Sequence, residues 1–491
     1  MTPRFPFDNS YVRFPARFYA RVAPTPVAAP RLIRVNAPLA LELGLEREAL
    51  ATEGAHIFSG NQIPDGAEPI ATAYAGHQFG GFVPQLGDGR AILLGEVIDR
   101  GGVRRDIQLK GAGRTPFSRG GDGRAALGPV LREYVVSEAM AALGLPTTRA
   151  LAAVVTGEKV RREEILPGAI FTRVASSHIR VGTFQFFATR DDVEGVRLLA
   201  DHVIARHYPH AAQAERPYRA LLEAVIKGQA ELIAQWLMIG FIHGVMNTDN
   251  MSVAAETIDY GPCAFMDHYD PEAVFSAIDR RGRYAYMNQP AIGEWNLTAL
   301  AECLLPLLAD DIDAAIDEAK EALSTYAPTF AQAYEAGLRR KLGLRTEQEG
   351  DKTLAADLLT IMAAAGADFT LTFRRLSDAA SGPENEAGLR ELFTDSSAIS
   401  EWLPRWRARL AQEPGDAAAR SEAMRGVNPA FIPRNHRVEA MIRAAVDRND
   451  FAPFEELLAV LSKPFEDQPE FAHYMEPPKQ HERVLQTFCG T

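Results

Sequence analysis

The sequence predicts an α+β protein of two lobes, strand-rich first and mainly helical after. Three observations carry this. Apolar strand-type runs joined by glycine-rich connections concentrate in 71–190, helix-period apolar spacing dominates 191–491, and 491 residues exceed what one compact core usually holds. The composition, 47% hydrophobic and 24% charged, is that of an ordinary globular chain with no repeat array or low-complexity tract.

Residues 1–70, rich in Pro, Ala and Arg with a short helical patch at APLALELGL, read as an N-terminal extension packed on the body. In 71–190, AILLGEV and DIQLK form a predicted hairpin turning at Gly101 and Gly102. After GRTPFSRGGDGRAALGP, the spacing of VLREYVVSEAMAALGL predicts a helix closed by Gly144 and Pro146. AIFTRVASSHIRVGTFQFF, 169–187, reads as a return to strand. In 191–491, YRALLEAVIKGQAELIAQWLMIGFIHG is a long helix-period segment that runs into HGVMNTDNMS, 243–252. Two strand-like pieces follow, MSVAAETIDYG and CAFMD. From 295 onward amphipathic helices alternate with polar connections, EQEGD and AASGPENEAG being the expected exposed loops.

A formal net charge of −12 argues against a protein built to grip nucleic acid, which needs clustered excess Lys and Arg. The apolar run LIAQWLMIGFI is too short to span a bilayer, and MTPRFPFDNSYVRFP lacks the apolar core of a secretory signal. A cytoplasmic enzyme with no membrane or nucleic-acid partner is therefore expected. Three cysteines exclude a disulfide framework. Cys303, in ALAECLLPLL, reads as a small buried hydrophobe. Cys489, third from the end, has no such packing explanation.

The chemistry concentrates in four places. HGVMNTDNMS has the frame of a kinase-type catalytic loop, His-Gly-Asp with an Asn five residues after the Asp. His243, Gly244 and Asn250 fit that frame, but Val245 holds the Asp slot. Asp259 follows nine residues after Asn250, and an Asn–Asp pair offers the hard oxygen ligands Mg²⁺ takes alongside phosphates and water. Asp249 is the only carboxylate inside the loop; it is either a proton acceptor or a group that caps and shapes the turn. Second, Lys110 ends a strand and Glu133 stands on the next helix, the pairing that aims a lysine at nucleotide phosphates; Glu138 is the alternative acid. Third, LGDGR (86–90) and GAGRTPFSRGGDGR (111–124) mix glycines, which let backbone N–H groups approach phosphate, with arginines. They bring seven basic residues into 104–132 without forming a Walker A motif. Fourth, Arg173 and Arg180 would face opposite sides of one continuous strand, so ASSH between them is expected to turn the chain and let both converge. Taken singly, the Lys–Glu pair reads as solvated surface groups and each glycine stretch as an ordinary turn, while a surface-strand role suits Arg173 and Arg180 as well as a site role does. Their order along strand, helix and loop favours a nucleotide site.

The stretches GHQFGGFVPQLGDGRAILLGE, IQLKGAGRTPFSRGGDGRAAL, HGVMNTDNMS, IDYGPCAFMD and NPAFIPRNHRVEAMI together resemble the selenoprotein O family over nearly the whole chain. The resemblance implies a bilobal protein-kinase-like fold, a pseudokinase that binds ATP inverted and transfers AMP to protein Ser, Thr or Tyr hydroxyls. It implies a nucleotide-binding lobe over 71–190 and a helical lobe over 191–491 that carries the metal and catalytic loop. Nucleotide contacts would come from Gly87, Gly89, Arg90, Lys110, Asp122, Gly123, Arg173 and Arg180, with Glu133 orienting Lys110. Asn250 and Asp259 would bind Mg²⁺ or Mn²⁺, and Asp249 would accept the proton. The Gly-Arg loops would then neutralise the departing pyrophosphate. Eukaryotic members carry selenocysteine three residues from the end, where this chain has Cys489; a reversible Cys263–Cys489 disulfide beside the metal loop is the expectation. Two other readings stay open: a small-molecule kinase of the aminoglycoside phosphotransferase type, and an inactive nucleotide-binding pseudokinase.

Overall fold

The computed structural model describes residues 5–488. A sheet-rich N-terminal part is followed by a helical C-terminal part. Strands β1 (Tyr19–Arg21), β2 (Arg31–Val35), β3 (Ile70–Thr72), β6 (Ala91–Ile98), β7 (Arg104–Lys110), β8 (Ala125–Ala126), β9 (Arg149–Arg161) and β10 (Ile165–Ala175) build one antiparallel sheet. Its order is β1-β3-β6-β7-β10-β9-β2, with β8 on β10, while β4 (Gly76–Gln78) and β5 (Gly81–Val83) form a separate hairpin. Segments from the first 35 residues thus close both edges of the sheet.

Both faces of this sheet are covered, which is why β6 and β9 read as continuous apolar runs. Helices α1 (Ala37–Glu42) and α2 (Arg47–Phe58) bury Leu39, Ile57 and Phe58 against Ile92, Ile107, Leu109 and Ile170. The other face takes α3 (Leu127–Ala142) and two late helices, Asn435–Arg448 and Ala452–Leu461, through Leu131, Tyr134, Phe171, Met441 and Phe454. Side chains alternate along a strand. With Ile107 and Leu109 in the first core, Lys110 points to the α3 side, and Arg173, two residues beyond Phe171, does the same.

The predicted β6–β7 hairpin forms, with Ala91 opposite Lys110 and its turn at Gly102, whose N–H donates to Asp99 O. The helix predicted before Gly144 is α3, and Gly144 adopts φ +83 there. Two strand expectations fail. In 169–187 the strand stops at Ala175, and α4 (Val181–Ala188) is helical. The break comes from His178, whose N–H and Nδ1 both engage Asp106 Oδ2 at 2.9 Å, and from Ser176, whose N–H donates to Glu256. TIDYG is no strand either: Thr257 makes one isolated bridge to Thr147, and Asp259 sits at φ +64, outside strand geometry. CAFMD supplies only Ala264–Phe265, paired with Phe241–Ile242.

The long apolar segment is α6 (Pro217–Met238), which follows α5 (Val193–His207) and packs on α7 (Gln289–Leu308). Cys303 is buried inside α7, as expected. A core of Met140, Trp236, Phe241, Met246, Tyr260 and Tyr284 lies where α3, α6 and loop 243–263 meet, so the loop is held by both parts of the chain.

Candidate active site

A cleft of about 720 Å³ opens between the sheet-rich part and the loop 245–262. Among the predicted site residues, Gly87, Gly89, Arg90, Lys110, Asp122, Gly123, Arg173, Arg180, Asp249, Asn250 and Asp259 all line it. Glu133 stands just behind them. Lys110 Nζ donates to Glu133 Oε2 and to Asp259 Oδ1, both at 2.7 Å. Arg173 Nη2 donates to the same Asp259 oxygen at 2.7 Å, and its Nε donates to Glu133 Oε1 at 3.0 Å. Glu138, the alternative partner for the lysine, instead pairs with Arg149 and Asn36.

This cluster alternates charge in a buried place. Burial works against the charge on Asp259, but Arg173, Lys110 and Arg180 outweigh it and hold the carboxyl well below its usual range. Glu133 is lowered in the same way, its burial overcome by Arg173 and Lys110. The contacts also account for the left-handed backbone of Asp259, since two cations fix its side chain. Arg180 converges on the same residue, as the turn between the two arginines predicts: its Nη2 lies 3.9 Å from Asp259 Oδ2, and its guanidinium sits 4.5 Å over the Tyr74 ring.

The Gly-Arg stretches pack against each other. Thr115 Oγ1 donates to Asp88 O at 2.6 Å. A side chain on Gly87 would run into the Phe117 ring, and a Cβ on Gly89 would sit 2.8 Å from Phe117 O. Gly123, at φ +68, is tighter still: a Cβ there would stand 2.0 Å from Gly113 O. Only glycine admits this crossing. Asp122 stands at the rim, ion-paired with Arg162 at 2.8 Å. Arg90, Arg114, Arg119 and Arg161 line the cleft with no carboxylate within ion-pair distance among the described residues, leaving positive charge for an anionic ligand.

On the opposite wall, His243 Nε2 lies 2.8 Å from Ile258 O, and the Val245 N–H donates to His243 Nδ1, so the ring is neutral with its proton on Nε2; burial lowers its pKa accordingly. Asn250 Nδ2 donates to Val245 O at 3.1 Å, which closes the loop. Asp249 is buried, and its carboxyl is pushed up to about 6 by burial, against the pull of Gln78 and Arg180. Gln78 Nε2 donates to its Oδ2 at 3.1 Å, whereas Oδ1 has no hydrogen-bond partner among the described residues.

No group of three or more His, Cys, Asp or Glu able to hold a metal occurs among the described residues. The donors at hand are the Asn250 carbonyl oxygen and Asp259 Oδ2, which accepts no hydrogen bond among the described residues and has Arg180 Nη2 at 3.9 Å. Two hard oxygens suit a Mg²⁺-type ion that completes its shell with phosphate and water. Cys263 is buried, its Sγ 3.5 Å from Tyr260 O. Its expected partner Cys489 lies outside the described residues.

Sequence reasoning missed Tyr74, Gln78, Asp88, Asn247, Arg161 and Arg162, all of which line the cleft. Asp88 is fully buried, and its Oδ2 accepts from Thr72 N–H and Oγ1. Glycines flanking the aromatic pair in GHQFGGF were the available signal for Gln78.

A cleft with four arginines that have no carboxylate partner among the described residues, an acid-held lysine and a buried, protonatable carboxylate defines an enzyme acting on a phosphorylated nucleotide. A family model described as Protein adenylyltransferase SelO matches residues 4–462. A protein nucleotidyltransferase YdiU of Bradyrhizobium sp. (strain BTAi1) is 70% identical over 492 residues, covering all of both chains. Its namesakes from Rhodopseudomonas palustris (strain CGA009) and Bradyrhizobium diazoefficiens are 69% and 66% identical over the same full span. The chain belongs to the SelO family of protein adenylyltransferases and is an enzyme of the nucleotidyltransferase class.

Proposed function

We propose that the cleft binds ATP with Mg²⁺ or Mn²⁺ and transfers AMP to a Ser, Thr or Tyr hydroxyl of an acceptor protein. In this reading the two parts are the lobes of a kinase-like fold, 71–190 holding the nucleotide and 191–491 supplying the catalytic loop. The observation that carries the proposal is Asp249. A buried carboxylate pushed up to about 6, with one oxygen free of hydrogen bonds, is suited to take a proton near neutral pH.

The acceptor oxygen attacks the α-phosphorus while its proton passes to Asp249. The bond from the α-phosphorus to the bridging oxygen breaks, and pyrophosphate leaves. Lys110, Arg173 and Arg180 neutralise phosphate oxygens, with Glu133 fixing the first two; Arg90 and the backbone around Gly87, Gly89, Asp122 and Gly123 surround the rest. Asn250 and Asp259 would hold the cation, which when bound polarises phosphate oxygens. Val245 in the slot of the usual kinase base, together with family membership, speaks against γ-phosphoryl transfer.

The test is parallel incubation with α-labelled and γ-labelled ATP, an acceptor protein, and Mg²⁺ or Mn²⁺. Label on protein from the α position alone is expected, and Asp259→Ala should abolish it. Transfer from the γ position would overturn the reading, as would no transfer from either.

A further inference from the structure

The β4–β5 hairpin belongs to neither sheet nor helix layer, and an isolated hairpin is marginal in water. It is held by the catalytic loop. The His77 N–H donates to Thr248 Oγ1 at 2.7 Å, the Phe79 N–H to Asn247 Oδ1 at 3.0 Å, and Gln78 reaches Asp249. Yet the hairpin leaves aromatic rings in solvent: Phe79 and Phe82 are each 37% exposed, beside Trp295 at 38% and Ile278 at 53%. The His77 ring bridges them, 4.9 Å from Phe82 and 5.0 Å from Trp295. Phe79 is in addition held at φ +53, a strained backbone for a bulky residue.

The loop 278–284 forms the other half of this surface. The Arg283 guanidinium lies 4.9 Å over Trp295 and packs beside Gly80 at the hairpin tip. Asp279 is turned inward to accept the Arg283 and Tyr284 N–H groups, so it neutralises neither Arg280 nor Arg281. Those two are exposed and have no carboxylate within ion-pair distance among the described residues. A local cluster of three arginines in a chain of net charge −12 selects negative partners.

Exposed aromatics and arginines at one mouth of a cleft are the residue types that dominate protein-binding hot spots. Gln78, Phe79 and Ile278 line the cleft itself, so the surface runs into the place where the acceptor oxygen has to arrive. We propose that hairpin 76–83, loop 278–284 and Trp295 form the docking surface for the acceptor protein. Its occupant is an extended segment with acidic residues flanking the hydroxyl and an apolar side chain against Phe82 and Trp295. This rests on the adenylyl-transfer reading of the same cleft.

The test uses ten-residue peptides with a single Tyr flanked by Leu and either Glu or Lys, α-labelled ATP, and the full chain. The Glu peptide should be labelled with kcat/KM about tenfold higher than the Lys peptide. The Arg280→Glu/Arg281→Glu double variant should erase or invert that ratio. Phe82→Ala should raise KM for the Glu peptide about tenfold, with KM for ATP unchanged in both variants. An equal or Lys-favouring ratio, a double variant that keeps the wild-type ratio, or labelling of intact proteins with no peptide labelled would each overturn the docking surface and leave the transfer reading standing. A chain that moves no AMP onto any acceptor, itself included, overturns both.

Discussion

Gln78 and Asp249, 171 residues apart, meet through one hydrogen bond of 3.1 Å, and the other Asp249 oxygen is left without one among the described residues. Burial with a single donor raises this carboxyl to about 6 from an ordinary 3.8. The sign of its effect on stability follows. Below pH 4 the group is protonated whether folded or unfolded and contributes nothing. Above pH 6 it is ionised in both states, and folding carries the full penalty, about 2–3 kcal/mol. Asp249→Asn should therefore raise the unfolding free energy by that amount at pH 8, with the gain fading toward pH 4. Urea titrations at the two pH values measure it; an equal effect at both would show that the carboxylate is not strained by burial.

Glu133 has the opposite sign. Its depressed pKa, shared with Asp259, means a stabilising contribution that is present above the ordinary carboxylate range and lost as pH falls through the folded values. Glu133→Gln leaves Arg173 buried against Asp259 alone, a loss of about 3–5 kcal/mol at neutral pH. Urea unfolding should show it, and the gap to wild type should narrow in acid.

Gly76 is the point where the hairpin touches the Asp249 carboxylate, the proposed proton acceptor. A Cβ there would stand 2.8 Å from Asp249 Oδ1 and 3.0 Å from its Cβ. Gly76→Ala should displace Asp249 and lower kcat at least about tenfold, while the affinity for ATP, whose proposed contacts from Arg90, Lys110, Arg173 and the Gly-Arg stretches lie across the cleft, stays within twofold. Steady-state kinetics with varied ATP separates the two parameters.

How much of this was legible depended on whether partners lie near one another in sequence. Lys110 and Glu133 follow each other on a strand and the next helix, and the spacing of Arg173 and Arg180 already demanded a turn. The glycines of 87–123 were visible as a dense cluster, and the crossing of the two stretches explains the density. The structure places Asp259 in the cleft, but its backbone is not the expected strand: it sits in the left-handed region, where Lys110 and Arg173 from the sheet hold its side chain. Asp88 was invisible for the same kind of reason, and for Gln78 only the glycines of GHQFGGF marked the place. Their roles depend on packing that no local pattern announces. The apolar run VGTFQFF was ambiguous between strand and helix, and Asp106 and Glu256 decided it by breaking the chain at 176–178.

In the proposed reaction Asp249 takes the acceptor proton. The measurement that reaches it most directly is the single-turnover rate of AMP transfer from ATP between pH 5 and 8, for wild type and Asp249→Asn. The wild-type rate should climb through a pKa near 6 and level off, with the variant slower by a factor of about 10²–10⁴ and lacking that limb. A variant that keeps most of the rate, or a wild-type profile flat across this range, would contradict it.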